Sequence, residues 1–126
     1  MRMMPYERFD AWKLGHALAL ALYEATERWP KEERYGLTSQ LRRAGLSVPT
    51  NIAEGAAKRG NREFRRFLDI ALGSLAEISY LLRFGRDRGL ISPERWSALE
   101  SLRNRVNLVT WMLYRSVSHG SAPNPE

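Results

Sequence analysis

The sequence predicts an all-α protein whose four helices form an up-down antiparallel bundle. Three observations lead to this prediction. Apolar residues recur every three or four positions along most of the chain, which is the spacing of one helix face. No segment shows the sustained two-residue alternation of β-branched side chains that marks a strand. The breaks between helical segments are short, and short connections place consecutive helices side by side and antiparallel.

Proline, glycine and capping residues divide the chain into its helical segments. Pro30 interrupts the first pattern, because proline favours the first turn of a new helix. Gly60 marks the second break, and Asn61 after it is a candidate N-cap. Ser92 is the candidate cap of the last segment, whose first turn begins with Pro93. The predicted helices cover about residues 8–29, 31–57, 61–88 and 93–117.

Composition places the chain in one domain and excludes several chemistries. The 126 residues predict a single domain over residues 1–117 and a disordered tail over 118–126. The chain has no cysteine, which excludes disulfides, thiolate catalysis and cysteine-ligated zinc. No segment has the pattern of a signal peptide, and no apolar run approaches the roughly 20 residues that span a bilayer. We therefore expect a cytoplasmic protein.

The chain is strongly basic. Twenty Lys and Arg against fourteen Asp and Glu give a net charge of +6 and a pI of about 10.2. Seventeen of the bases are arginine, whose planar guanidinium pairs bidentately with phosphate or carboxylate. This balance is typical of nucleic-acid binding, although a solvated basic surface or ion pairs at an interface would produce the same composition.

Helices one and four are apolar on more than one side. Helix one has one face of Phe9, Trp12, His16, Ala19, Leu20 and Tyr23, and a nearly opposite face of Leu14, Leu18, Ala21, Leu22, Ala25 and Trp29. Helix four has a core face of Leu99, Leu102, Val106, Val109, Leu113 and Val117, with aromatic residues beside it. A bundle helix needs one apolar stripe, so a second one predicts a subunit interface, unless a broad core absorbs both. The candidate interface residues are Trp12, Trp96, Trp111 and Tyr114.

Helix three has one plain core face, and helix two has a polar edge. The core face consists of Phe64, Phe67, Leu68, Ala71, Leu75, Ile78 and Leu82. The polar edge consists of Gln40, Arg43, Ser47, Asn51 and Glu54, with Glu77 on the neighbouring flank of helix three. This edge is a solvated boundary, a buried network with Arg43 paired to Glu77 or Glu54, or a ligand or catalytic site. Pro49 lies inside helix two and is expected to kink or break it.

Three segments of helices two and three carry a family resemblance. They are LTSQLRRA from Leu37, SVPTNIAEG from Ser47 and FRRFLDIALGS from Phe64, followed by Glu77. Together they closely resemble the four-helix-bundle family first named for proteins encoded in intervening sequences of bacterial 23S rRNA genes. The resemblance covers about residues 9–115, and it implies a ring-like homopentamer without established catalytic residues. A more distant branch holds the accessory proteins of diversity-generating retroelements, which implies nucleic acid and a reverse transcriptase as candidate partners.

Five bases lie within nine residues around the start of helix three. This basic cluster consists of Lys58, Arg59, Arg62, Arg65 and Arg66. Cations oppose the dipole at a helix N-terminus, so stability alone does not favour them there. The free backbone N–H groups of such a terminus bind phosphate, which makes the cluster a candidate nucleic-acid site with mainly phosphate contacts. The alternatives are an idle surface and ion pairs between subunits, to Glu24, Glu27, Glu32 or Glu33.

No residue pattern indicates catalysis or metal binding. The glycines of residues 55–60 have the spacing of a P-loop, but the Lys-Ser/Thr pair and the preceding strand are missing. His16 lies on an apolar face, where packing is its expected role, and no group of His, Asp and Glu has metal-ligand spacing. We therefore expect a homopentamer that binds RNA or DNA, without enzymatic activity or a cofactor. The alternative is a structural scaffold for protein interactions with no nucleic-acid role.

Overall fold

The computed structural model describes residues 3–118, and they contain the four expected helices. These are α1 (Asp10–Thr26), α2 (Leu37–Ala56), α3 (Asn61–Asp87) and α4 (Pro93–Ser118). Short 3₁₀ turns at Pro5–Arg8 and Lys31–Glu33 precede α1 and α2. No strand occurs within residues 3–118. Of the tail predicted over 118–126, Ser118 ends α4 and the other residues lie outside the described part of the chain.

Each helix packs against two others in the cyclic order α1, α2, α3, α4. Neighbouring helices run antiparallel. Gly55 near the end of α2 lies against Phe64 at the start of α3, and Arg86 near the end of α3 lies over Trp96 near the start of α4. Ser47 Oγ lies 2.8 Å from Ser74 Oγ between α2 and α3, and Ser79 Oγ donates to Glu100 Oε2 over 3.3 Å between α3 and α4. The start of α1 faces the end of α4, since Asp10 and Met112 line one cleft. The all-α bundle with four helices is confirmed.

The prediction that helix two begins at residue 31 is wrong. Pro30 precedes a single 3₁₀ turn, three more turn residues follow, and α2 begins only at Leu37. Residues 31–36 hold one large apolar side chain, Tyr35, and it is 90% exposed. Without an apolar face to bury, nothing in this segment compensates for the entropy of ordering a longer helix. Glu33 instead accepts a hydrogen bond from the backbone N–H of Leu37 over 3.4 Å.

The core combines the expected faces of α3 and α4 with a face of α1 that lies between its two predicted stripes. All seven residues of the predicted α3 face are buried: Phe64, Phe67, Leu68, Ala71, Leu75, Ile78 and Leu82. In α4, Leu99, Val106 and Val117 are buried and the other three are half-buried. In α1, Leu18 and Leu22 of one stripe and Ala19 of the other are buried together. Leu20 and Tyr23 stay exposed, so the core does not absorb both stripes.

Helices α1 and α2 approach closely at two glycines. A Cβ atom on Gly15 would lie 3.2 Å from Val48 Cγ1 and 3.7 Å from the backbone nitrogen of Pro49. A Cβ atom on Gly45 would lie 2.9 Å from Leu22 Cδ1. Of the kink or break predicted at Pro49, the break does not occur, since α2 runs through this residue with its side chain buried. Packing on the bundle holds the helix together where one backbone hydrogen bond is missing.

Candidate nucleic-acid interface

The basic cluster lies on the loop before α3 and on the first turns of that helix. Gly60 precedes the helix with φ of 88°, a left-handed conformation that glycine adopts without strain. Asn61 is the first helical residue instead of the expected cap, and none of the described side chains caps this terminus. The first backbone N–H groups of α3 are therefore left to solvent or to an anion.

An open cleft of about 510 Å³ lies across the start of α3. It is lined by Arg62, Glu63, Arg65, Arg66, Asp69 and Tyr114. The guanidinium groups of three arginines thus share one cleft with two carboxylates and one aromatic ring from α4. Arg62 and Arg66 are exposed, and Arg65 is half-buried. The cleft carries a net positive charge next to the uncapped helix end.

Little of this positive charge is neutralised within the chain. Glu63 accepts from Arg66 over 3.3 Å, but both side chains are about half exposed, where such pairs stabilise little. Glu24, one of the glutamates suggested as a partner for the cluster, lies instead 3.9 Å from Arg95. No ion pair of Arg62 or Arg65 occurs within residues 3–118. Ion pairs between subunits stay a prediction.

Two bases of the cluster contact the ring of Phe67. Lys58 Nζ lies 5.4 Å from the centroid of the Phe67 ring, and the guanidinium carbon of Arg66 lies 4.6 Å from it. These cation–π contacts orient both bases, whose side chains stay exposed, and Arg66 also lines the cleft. Arg62 and Arg65 line the cleft beside Tyr114 without such a contact within residues 3–118. Arg59 is exposed in the loop.

Two of the four aromatic residues predicted at a subunit interface lie beside this cleft. The rings of Trp111 and Tyr114 stack with their planes 8° apart and their centroids 5.4 Å apart. Tyr114 is half-buried and lines the cleft, whereas Trp111 is 45% exposed. We call these two residues the aromatic platform. The sequence pattern placed them off the core face of α4 but did not bring them to the basic cluster, because that juxtaposition depends on how α3 and α4 pair.

The other two aromatic residues are largely used within the chain. Trp12 is half-buried and stacks on His16 with ring planes 4° apart, and its ring also packs on Tyr6. His16, expected to be packed, is exposed apart from this stacking contact. Trp96 is half-buried beneath Arg86, whose guanidinium carbon lies 4.3 Å from the ring centroid. Neither tryptophan offers the exposed area of Trp111.

The polar edge of α2 forms a small network instead of a continuous one. Asn51 Nδ2 donates to the Ser47 carbonyl over 2.8 Å and to Ser47 Oγ over 2.9 Å, and Ser47 Oγ reaches Ser74 Oγ. The remaining members of the edge, Gln40, Arg43, Glu54 and Glu77, are exposed. The expected pairing of Arg43 with Glu77 or Glu54 does not occur among the described residues, because water solvates these charges.

Two arginine contacts, one between helices and one within α4, were not found from the sequence. Arg42 donates through Nε to Thr26 Oγ1 over 2.8 Å and through a terminal nitrogen to the Tyr23 carbonyl over 3.2 Å. It thereby ties α2 to the end of α1. Arg103 binds both carboxylate oxygens of Glu100 over 2.8 Å, and both side chains are mostly buried. Only the three-residue spacing of Glu100 and Arg103 could have indicated the second pair.

The fold and the basic helix terminus define an antiparallel four-helix bundle with one strongly cationic end. A family model of the 23S rRNA-intervening sequence proteins matches residues 7–115. The chain belongs to this family, as its sequence segments indicated. A crystal structure of a protein of unknown function from the S23 ribosomal protein family of Bacteroides thetaiotaomicron is similar, with a TM-score of 0.78 and 19% identity. The match covers 83% of this chain and 95% of that one, and it shows a shared fold. No curated protein matches the sequence.

Two other properties concern the described residues alone. No helix within residues 3–118 is both long enough and apolar enough to cross a membrane. Within the same residues, no group of three or more His, Cys, Asp or Glu side chains is placed to hold a metal ion.

Proposed function

We propose that this protein is a non-enzymatic homo-oligomer, a pentamer by family resemblance, that binds nucleic acid through phosphate contacts at the start of α3. The observation that carries the proposal is the cleft in which Arg62, Arg65 and Arg66 stand beside a helix N-terminus that none of the described side chains caps. By kinship with retroelement accessory proteins, an enzyme that acts on nucleic acid, such as a reverse transcriptase, is the proposed protein partner.

The electrostatics of this helix end favour an external anion. Positive side chains in the first turns of a helix oppose its dipole, at a cost of some tenths of a kcal/mol each. A bound phosphate would relieve that repulsion, since it accepts from the free backbone N–H groups and from the guanidinium groups at once. Arg62 and Arg65 lack an ion-pair partner within residues 3–118, so both can bind a phosphate without first breaking a contact.

A charge-reversal pair with a matched control tests the proposal. The test variant is Arg62→Glu with Arg65→Glu, and the control is Arg83→Glu with Arg88→Glu at the other end of the same helix, where both residues are exposed. Both double variants change the net charge by the same amount. Fluorescence anisotropy with structured RNA and duplex DNA, from about 50 mM salt upward, gives affinity and its salt dependence.

We expect the wild type and the control to bind with a negative slope of log affinity against log salt. The test variant should lose binding, while light scattering shows an unchanged assembly. Equal losses in both doubles would mean that net charge, and not this cleft, sets the affinity. Loss of assembly in the test variant alone would favour ion pairs between subunits.

Oligomerisation is supported by apolar side chains that the chain leaves uncovered. Leu20 and Tyr23 of α1 are 59% and 37% exposed, and Leu46 of α2 is 46% exposed. They belong to one region, because Gly45 lies against Ala19 and Leu22 and so sets these parts of α1 and α2 side by side. Light scattering should give about five times the chain mass of 14.5 kDa. A monomer would contradict the proposal.

A protein-interaction scaffold is the second candidate. Leu108 and Met112 of α4 are 57% and 60% exposed, and exposed apolar residues of this size commonly mark protein contacts. If the wild type binds neither RNA nor DNA even at about 50 mM salt, its positive charge serves subunit contacts or solubility. The scaffold function then replaces nucleic-acid binding as the proposal.

A further inference from the structure

The aromatic platform lies beside the basic cluster, within reach of a nucleobase whose phosphate is bound by that cluster. Tyr114 forms one wall of the cleft whose other walls are the arginines of the basic cluster. Trp111 continues the platform outward, since its ring stacks on Tyr114 with almost parallel planes. We propose that Trp111 and Tyr114 stack an unpaired nucleobase of a single-stranded nucleic acid whose phosphates lie on Arg62 and Arg65. This inference rests on the proposed function and adds the kind of nucleic acid to it.

The exposure of Trp111 is the first step of the argument. One face of the indole is covered by the Tyr114 ring, yet 45% of the residue is exposed. The centroid separation of 5.4 Å shows that the two rings are offset, which leaves part of each π-surface beyond the overlap. A planar base stacked on this surface would bury it.

The neighbourhood of the platform is the second step. Surfaces that bind single strands combine a positive groove along the backbone with aromatic side chains that stack bases. Here three arginines and the ring of Tyr114 line one cleft of about 510 Å³, and the ring of Trp111 stacks on Tyr114 beside it. A duplex can offer its phosphates to the arginines, but its bases are already stacked on one another. The platform therefore favours single strands over duplexes.

The position of the platform also distinguishes it from the other exposed side chains of α4. Leu108 and Met112 are more exposed than Trp111, and none of the three lines the basic cleft, but Trp111 stacks on Tyr114, which does. They are apolar without being planar, so they can serve a protein contact but cannot stack a base. Leu108→Ala is therefore the control for Trp111→Ala, since both changes remove a large exposed side chain from the same helix.

The test compares three fluorescently labelled strands of equal length in anisotropy titrations. One is a single-stranded RNA, one is the corresponding single-stranded DNA, and one carries the same number of phosphates with abasic positions in place of the bases. The proteins are the wild type, Trp111→Ala, Trp111→Phe and Leu108→Ala, each checked by light scattering. Arg62→Glu with Arg65→Glu reports on the phosphate contacts.

We expect the wild type to bind the strands with bases about tenfold more tightly than the abasic strand, which is the size of one base–aromatic stack. Trp111→Ala should remove this preference without changing the salt slope, whereas Trp111→Phe and Leu108→Ala should keep it. The double charge reversal should weaken binding of all three strands and flatten the slope. A preference for RNA over DNA would assign the site to RNA, and equal binding would assign it to single strands of either sugar.

Three outcomes would overturn the inference, and they separate it from the proposed function. If all strands bind alike and with a steep salt slope, phosphate binding stands and the base stack fails. If no strand binds, both fail. If Trp111→Ala dissociates the oligomer while Leu108→Ala does not, Trp111 belongs to the subunit interface that the sequence predicted, and the base stack fails.

Discussion

The glycines of α2 and α3 offer a sharp test of how the bundle packs. Gly55 lies where α2 meets the start of α3, and a Cβ atom there would be 2.8 Å from Phe67 Cβ and 3.0 Å from Phe64 Cδ1. Gly73 lies in the middle of α3, and a Cβ atom there meets nothing within 4 Å among the described residues. The same substitution, glycine to alanine, should therefore destabilise the protein at Gly55 and stabilise it at Gly73.

The magnitudes follow from two opposing terms. Replacing an interior helical glycine by alanine stabilises by about 0.8–1.0 kcal/mol, and Gly73→Ala should gain this in full. Gly55 is the penultimate residue of α2, so Gly55→Ala recovers only part of it. Its methyl group would also press on Phe67 Cβ, which cannot move without its backbone, and such overpacking costs about 1–3 kcal/mol. The free energies of unfolding of the two variants should differ by roughly 1–4 kcal/mol, with Gly73→Ala the more stable.

Denaturant unfolding followed by far-UV circular dichroism measures this difference. Protein concentration must be the same in all samples, because the apparent stability of an oligomer depends on it. Equal stability of the two variants would refute the reasoning, since it would mean that α3 does not press on α2 at Gly55. Gly73 is exposed within one chain. If Gly73→Ala destabilises the protein, the added methyl group must therefore press on another subunit.

Two further predictions concern hydrogen bonds. Ser92→Ala removes the side-chain oxygen that accepts from the Arg95 backbone N–H over 3.1 Å. This change should lower the free energy of unfolding by about 1 kcal/mol. Ser92→Asp keeps a capping oxygen and should leave the free energy of unfolding unchanged. The hydroxyl groups of Ser47 and Ser74 form a hydrogen bond between α2 and α3. A double-mutant cycle of Ser47→Ala and Ser74→Ala should therefore give a coupling energy of about 0.5–1.5 kcal/mol. Purely additive effects would show that these hydroxyls bind water instead.

Local patterns were sufficient where one helix face decides the structure. The seven apolar positions of α3 repeat at helical spacing, and all seven are buried, because a single stripe can face the core in only one orientation. Ser92 and Pro93 marked the start of α4 correctly, since capping depends on residues adjacent in the chain. The start of α2 was predicted six residues too early, because propensity does not show whether a segment has anything to bury.

The functional residues divide in the same way. The basic cluster was evident from five bases in nine residues, because charge density is a property of the sequence itself. The packing of the four helices against one another decided the rest. It exposed Leu20, placed Arg42 on Thr26, and left Arg43 in solvent away from Glu77.

The number of helices, their order, the core face of α3, the positive end of the bundle and the family all follow from the residues along the chain. That Tyr114 lines the cleft of Arg62 and Arg65 follows from the way the helices pack. Tyr114 and Arg65 are far apart in the chain, and they meet because α3 and α4 run antiparallel with the end of one beside the start of the other. A helical period fixes the direction of each side chain around its own axis. It does not fix the rotation and register of one helix against the next, which the packing of all four helices sets together.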